Sequence, residues 1–192
     1  MNLPAIAPPL LFMRHGATAL NAAGLRCGGD VDLPLTEIGH RQSMQSAQHL
    51  AALRPRVGVI VVSALQRTRQ TADIVGRLLH GVEIVVDAGF NERRLGEWNR
   101  RPIAETQAQL AAGITPPGGE SNDEFTQRIR SAVMATVVPL LGTRPVLIAS
   151  KGVARVVGEL AGGNPRAPLG NADIVEFDLS AFVQRSPTVC AA

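Results

Sequence analysis

The sequence predicts an α/β fold, a three-layer α/β/α sandwich around a mostly parallel central sheet. Three observations carry this. Short β-branched or apolar runs alternate with stretches of helical period, the links between them are brief, and no internal repeat or linker-like tract divides the chain. With 192 residues, 45% of them hydrophobic and 18% charged, the chain reads as one domain over 1–192, with tails at 1–9 and 186–192.

Residues 10–13, Leu-Leu-Phe-Met, read as a first strand running straight into Arg14-His15-Gly16. Thr36 opens a helix to residue 53, with Ile38, Met44, Ala47 and Ala51 near one face. Residues 57–62 are a β-branched run and a buried strand. A helix follows over 65–79, its stripe set by Leu65, Ala72, Val75 and Leu79, and residues 82–86 form a third strand. The turn-rich stretch from Asp87 to Gly119 holds Pro102, Pro116 and Pro117, with a short helix over 103–112. Ser121-Asn122-Asp123-Glu124 is a capping box opening a helix that carries Phe125, Ile129, Val133, Val137 and Leu140. A strand at 146–149, a helix at 153–161 and a last strand at 174–177 complete the pattern.

Composition excludes several classes. Aromatic residues make up 3% of the chain and tyrosine is absent, so stacking platforms for single-stranded nucleic acid are scarce and no nucleic-acid partner is expected. Cys27 and Cys190 lie far apart, which is no disulfide framework, and no Cys/His cluster has zinc spacing; neither metal nor cofactor is expected. The start lacks a basic region ahead of an apolar one, and no run reaches the roughly 18 apolar residues of a membrane span. A cytoplasmic protein with no membrane partner is the expectation. The oligomeric state is left open, a homodimer included.

Three segments could carry chemistry, each just past a strand, where α/β proteins place their ligands. In Arg14-His15-Gly16 the guanidinium is a planar fork for phosphate oxygens, and the imidazole offers a ring nitrogen that can attack. In Ser63 to Ala72, Arg67 falls in the first turn of a helix, whose amino terminus favours anions; alone, a capped helix with surface arginines is the better reading. In Asn91-Glu92-Arg93, a carboxyl could hand a proton to a leaving oxygen; alone, a solvated charged loop is the better reading.

Together the segments resemble the histidine phosphatase superfamily, which holds phosphoglycerate mutases and broad phosphomonoesterases. The matching residues are Arg14-His15-Gly16-Ala17-Thr18 with Asn21, Cys27-Gly28, Asp32, Leu35-Thr36 and Gly39. Ser63, Arg67, Gln70-Thr71-Ala72 and Asn91-Glu92-Arg93 with Gly96 follow in family order. Pro117-Gly118-Gly119-Glu120-Ser121 and Asn171-Ala172-Asp173 extend the match. The resemblance implies a phosphoglycerate mutase-like fold and a phosphomonoester hydrolase acting on a small phosphorylated substrate. It makes His15 the nucleophile that becomes phosphorylated and Arg14 and Arg67 the clamp on the phosphoryl oxygens, with Thr18 and Asn21 as supporting donors. Glu92 is the general acid and then the base for water, and Cys27, Gly28, Arg93 and Gly152 lie beside the substrate. Arg93, Arg94 and Trp98 either meet the non-phosphate part of the substrate or pack their own loop. The stretch between Glu92 and Pro116 is short for a mutase, which favours hydrolysis.

One position departs from the family. Where it carries Ser-His-Gly, this chain reads Ser150-Lys151-Gly152, and no histidine follows His80. His40, His49 and His80 fall on or beside helices and read as surface residues. Lys151 would keep a positive charge beside the phosphoryl site, donate as a point charge, and disfavour protonation of His15. Losing one positioned donor costs about 10²–10³ in turnover, and a flexible lysine recovers part of it. Two readings follow: a working phosphatase with a modified pocket, or a catalytically impaired relative that binds a phosphorylated ligand or a protein.

Overall fold

The computed structural model describes residues 8–163 and 168–185. Five strands, β1 (Leu10–Arg14), β2 (Val59–Val62), β3 (Glu83–Val86), β4 (Pro145–Ala149) and β5 (Ile174–Phe177), form one sheet in the order β3-β2-β4-β1-β5. Four run parallel; β5 pairs antiparallel with β1, Leu10 opposite Phe177 and Met13 opposite Ile174. Period-2 side chains divide the strands between two cores. Leu10, Phe12, Val61, Leu147 and Ala149 pack with α5 (Asn122–Ala132), α6 (Lys151–Leu160) and Phe182 of α7 (Ser180–Arg185). Leu11, Met13, Ile60, Val62, Val146 and Ile148 face α2 (Glu37–Ala52) and α3 (Gln66–Leu79). The result is the expected α/β sandwich.

The expected caps are present. Thr36 Oγ1 accepts from Gly39 N at 3.1 Å, and Ser121 and Glu124 exchange bonds as a capping box. The face of α2 is different from the expected one. Ile38 and Met44 are exposed, and the buried stripe is Gly39, Ser43, Ala47 and Leu50. The cause is close packing: a Cβ on Gly39 would lie 2.2 Å from the Ala17 carbonyl oxygen, and one on Gly16 2.3 Å from that of Gly39. Small residues, not large apolar ones, let α2 touch the loop after β1.

The long helix expected after Ser121 is three pieces. α5 ends at Ala132, a π turn spans Val133–Val137, and a 3₁₀ stretch spans Val138–Thr143. Pro139 has no N–H to continue an α-helix, which accounts for the change of winding. Phe125, Ile129, Val133 and Val137 are buried as expected, with Leu141 rather than Leu140 closing the stripe. Two short helices were not expected: α1 (Ala19–Ala22), opened by a Thr18/Asn21 capping box, and α7. α4 (Ile103–Ala111) matches its expected span, and α6 starts at Lys151, two residues early. Except for Pro8 and Pro9, the expected tails, with Cys190, lie outside the described residues. Among the described residues no helix is long and apolar enough to cross a membrane.

Candidate active site

Parallel strands deliver the site's side chains at their carboxyl ends. β1 ends in Arg14-His15, β4 leads into Ser150, β2 leads through Ser63 to α3, and β3 leads to Asn91-Glu92. Ladder-like bonds carry this register past the strands. His15 N donates to Ala149 O at 3.0 Å and Ser63 N to Ile148 O at 3.2 Å. The His15 carbonyl accepts from Ala172 N and Asn171 Nδ2, both at 3.1 Å, so the Asn171-Ala172-Asp173 segment anchors the histidine. β4 stands between β1 and β2, so those two strands are not neighbours. Arg14 and Arg67 converge on His15 all the same, since both charges act on its ring.

His15 is 3% exposed, and its Nδ1 lies 2.7 Å from the Gly16 carbonyl oxygen. A carbonyl only accepts, so Nδ1 carries the proton and Nε2 keeps its lone pair. Burial, then Arg67, with a smaller push from Arg14, hold the imidazole well below its ordinary 6.5, against the opposing Gly16 bond. The ring is therefore neutral and nucleophilic near neutral pH. Lys151, expected to help in this, is not among the charges that act on it.

This depression ties stability to pH. Below 6.5 the unfolded chain binds a proton at this histidine that the folded chain refuses, so stability falls as pH drops from 6.5 toward the lower folded-state value. The slope from this one group is at most about 1.4 kcal/mol per pH unit. Urea unfolding of the native chain and of His15→Asn, at neutral pH and at about pH 5.5, should show the native chain losing more stability than the variant. Equal losses would mean that the folded state takes the proton as readily as the unfolded one.

Arg67 is 0% exposed: Nη1 donates to Val31 O at 2.9 Å and Nη2 to Gly28 O at 3.3 Å. Arg14 Nη1 donates to Leu169 O at 2.8 Å; burial lowers its pKa, Glu92 and Asp173 oppose this, and the guanidinium stays charged. Both arginines keep a buried Nε with no partner, and so does Ser150 Oγ, 2% exposed at the cap of α6. Buried donors are normally satisfied, and these three remain available to a bound group.

Glu92 is fixed by backbone. Oε1 accepts from Arg93 N at 2.7 Å and Oε2 from Gly152 N at 2.9 Å. A Cβ at position 152 would stand 2.2 Å from Glu92 Oε1, so any larger residue there would push the carboxylate out of this place. Behind it, Arg128 holds Glu120 through Nε at 2.9 Å and Nη2 at 2.7 Å, and donates to the Gly89 and Asn91 carbonyls. Arg93 Nε reaches the Glu120 carbonyl at 2.8 Å. Sequence reasoning missed the Glu120–Arg128 pair, Ser150 and the anchoring role of Asn171; the single hint was that Glu120 and Asn171 lie in the family-like segments.

The other expected residues take varied places. Thr18 is buried and donates through Oγ1 to Asn21 Oδ1, which also accepts from Asn171 Nδ2, so these side chains first build the loop. Gly28 N donates to Asn99 Oδ1 at 2.7 Å, and half-buried Cys27, its thiol pushed up by burial, has Sγ 3.9 Å from Val31 O. Trp98 is buried, which makes it loop packing, while Arg94 is exposed. Lys151 is exposed and makes no ion pair or hydrogen bond among the described residues. His40, His49 and His80 are exposed. Among the described residues no three of His, Cys, Asp and Glu gather as metal ligands would.

Comparison with known proteins bears on the family and the fold. Residues 10–183 match the family described as Histidine phosphatase superfamily (branch 1). A probable phosphoglycerate mutase GpmB of Cronobacter sakazakii is 35% identical over 92% of this chain and 85% of that protein. An uncharacterized phosphatase PhoE of Bacillus subtilis is 31% identical over 80% and 78%. Among solved structures, a mycobacterial glucosyl-3-phosphoglycerate phosphatase in complex with VO3 superposes with a TM-score of 0.74 at 31% identity, over 88% of this chain and 92% of that one.

Proposed function

Because the chain belongs to the histidine phosphatase superfamily, we propose that it hydrolyses a small phosphorylated metabolite through a phosphohistidine at His15. One observation carries the reading: a buried neutral imidazole with a free Nε2, flanked by unpartnered Nε atoms on Arg14 and Arg67. In the first step Nε2 forms the bond to phosphorus as the ester P–O bond breaks, and Glu92 gives its proton to the departing alkoxide. In the second, Glu92 takes a proton from water, whose oxygen displaces His15 and leaves inorganic phosphate. Charge in both transition states is spread over three equatorial oxygens, where Arg14, Arg67 and Ser150 Oγ stabilise it. The arginines supply the positive charge, so the reaction is proposed to need no metal. That a relative of similar fold was solved with VO3 supports an oxyanion pocket in this family. Hydrolysis is favoured over mutase chemistry by the short segment around α4, which leaves water a path to the phosphohistidine. The proposed setting is cytoplasmic, with a small soluble ester as partner.

A second reading has its own observation. Exposed Lys151 brings no ring nitrogen to the pocket, so a chain that binds phosphate esters without turnover is the alternative. Phosphate release from a panel of phosphomonoesters separates the two, using the native chain, His15→Ala and Lys151→His. Release by the native chain that vanishes in His15→Ala is the expected result. Release by Lys151→His alone would overturn it and leave a binding protein.

A further inference from the structure

Three cations lie on the segments that meet at Glu92 and at the start of α5. Arg93 follows it in the chain, and Lys151 precedes Gly152, whose N–H donates to Glu92 Oε2 at 2.9 Å. Arg155 stands one helical turn after Lys151 on α6, so the two share a face. Arg155 Nη2 donates to Asn122 Oδ1 at 2.9 Å, while Arg93 Nε donates to the Glu120 carbonyl at 2.8 Å. Both guanidinia are thus tied to positions two residues apart at the start of α5. After burial, Arg155 is the largest influence lowering the Arg93 pKa, which shows like charges held close together.

The nearby acids neutralise the group only in part. Glu120 is taken by Arg128 at 2.7 Å, and Glu92 by two backbone N–H donors. Glu159 pairs with Arg155 at 2.6 Å, a partly exposed contact within one helix that contributes little. Arg93 is 7% exposed, and its Nη2 is buried without a partner. Lys151 sits in the first turn of α6, where the helix dipole opposes a cation, with no partner among the described residues. Like charges held this close, with Arg93 Nη2 left unpartnered, favour an anion among them.

We propose that Lys151, Arg155 and Arg93 form a subsite for a second anionic group, carried on the leaving-alcohol part of the substrate, an inference that rests on the phosphohydrolase reading. The two arginines supply forks of donors and the lysine a mobile point charge. Since the subsite adjoins the carboxyl that protonates the leaving oxygen, an anion held there sets that oxygen against Glu92. It also gives position 151 a task toward the leaving group rather than the phosphoryl group.

Binding of non-hydrolysable phosphonates tests this without turnover. Phosphonoacetate and 3-phosphonopropionate are titrated calorimetrically at one ionic strength against ethylphosphonate and propylphosphonate, which keep the phosphonate but lack the carboxylate. The native chain is expected to bind each carboxylate at least about tenfold tighter than its alkyl match. That ratio should fall to about twofold in Lys151→Met and in Arg155→Met, and Lys151→Arg should restore most of it. Alkylphosphonates that bind as well as the carboxylates would overturn the subsite and leave the phosphohydrolase reading standing. A Lys151→Met variant that weakens both kinds of ligand equally would overturn it too, by assigning the lysine to the phosphoryl group. If no phosphonate binds, the phosphoryl pocket fails and the subsite with it.

Discussion

His15→Ala is expected to lower phosphate release at least about a thousandfold while the chain still folds. Nothing else near the pocket can replace the nucleophile. His40, His49 and His80 are exposed on other elements, Cys27 has its thiol pushed up by burial, and Ser150 has no hydrogen-bonded base among the described residues. The residual rate would come from oxyanion stabilisation by Arg14 and Arg67 alone, with water attacking directly. Folding should survive because the lost side chain makes a single hydrogen bond, to the neighbouring Gly16 carbonyl, and the backbone bonds to Ala149, Ala172 and Asn171 stay. Two measurements separate chemistry from damage: a thermal melt of the variant, and alkaline-quenched trapping of labelled phosphate on the protein. The native chain should yield an acid-labile phosphoprotein and the variant none. A folded variant that keeps more than about a tenth of the native rate would place the nucleophile elsewhere.

The strand ends were legible in the sequence because buried parallel strands are continuous apolar runs, and each ran directly into a polar residue. Arg14-His15 after β1 and Arg67 in the first turn of α3 therefore came with positions attached. The face of α2 was not legible, because Gly39 and Ser43 are buried for close backbone approach and carry no hydrophobic signal. The support around Glu92 was hidden for another reason. Gly152 meets it from 60 positions away, and Arg128 meets Glu120 across a helix start. Such partners are chosen by topology, and a local pattern cannot announce them. Lys151 shows the same limit. Its residue type was plain, but its exposed place one turn before Arg155 depends on α6 starting two residues earlier than the apolar pattern indicated.

Glu92→Gln should divide substrates by their leaving groups. The amide fills the same space but can accept from only one of Arg93 N and Gly152 N with its oxygen, since its nitrogen is a donor facing a donor. More important, it has no proton to give. For an alkyl phosphate the departing alkoxide is a poor leaving group and needs that proton in the transition state, so kcat/KM should fall about 10²–10³-fold. For p-nitrophenyl phosphate the departing phenolate needs little protonation, and kcat/KM should change less than about tenfold. The second half of the reaction is affected whatever the ester, because Glu92 also takes the proton from the attacking water. Phosphohistidine should then accumulate, and p-nitrophenolate should appear as a burst equal to the enzyme concentration followed by a slow steady state. Equal losses in kcat/KM on both esters, with no burst, would mean that Glu92 positions the pocket through Gly152 and Arg93 and that another group moves the proton. The same pair of substrates also separates this residue from Arg67, whose loss should weaken the phosphoryl clamp by a similar factor for either leaving group.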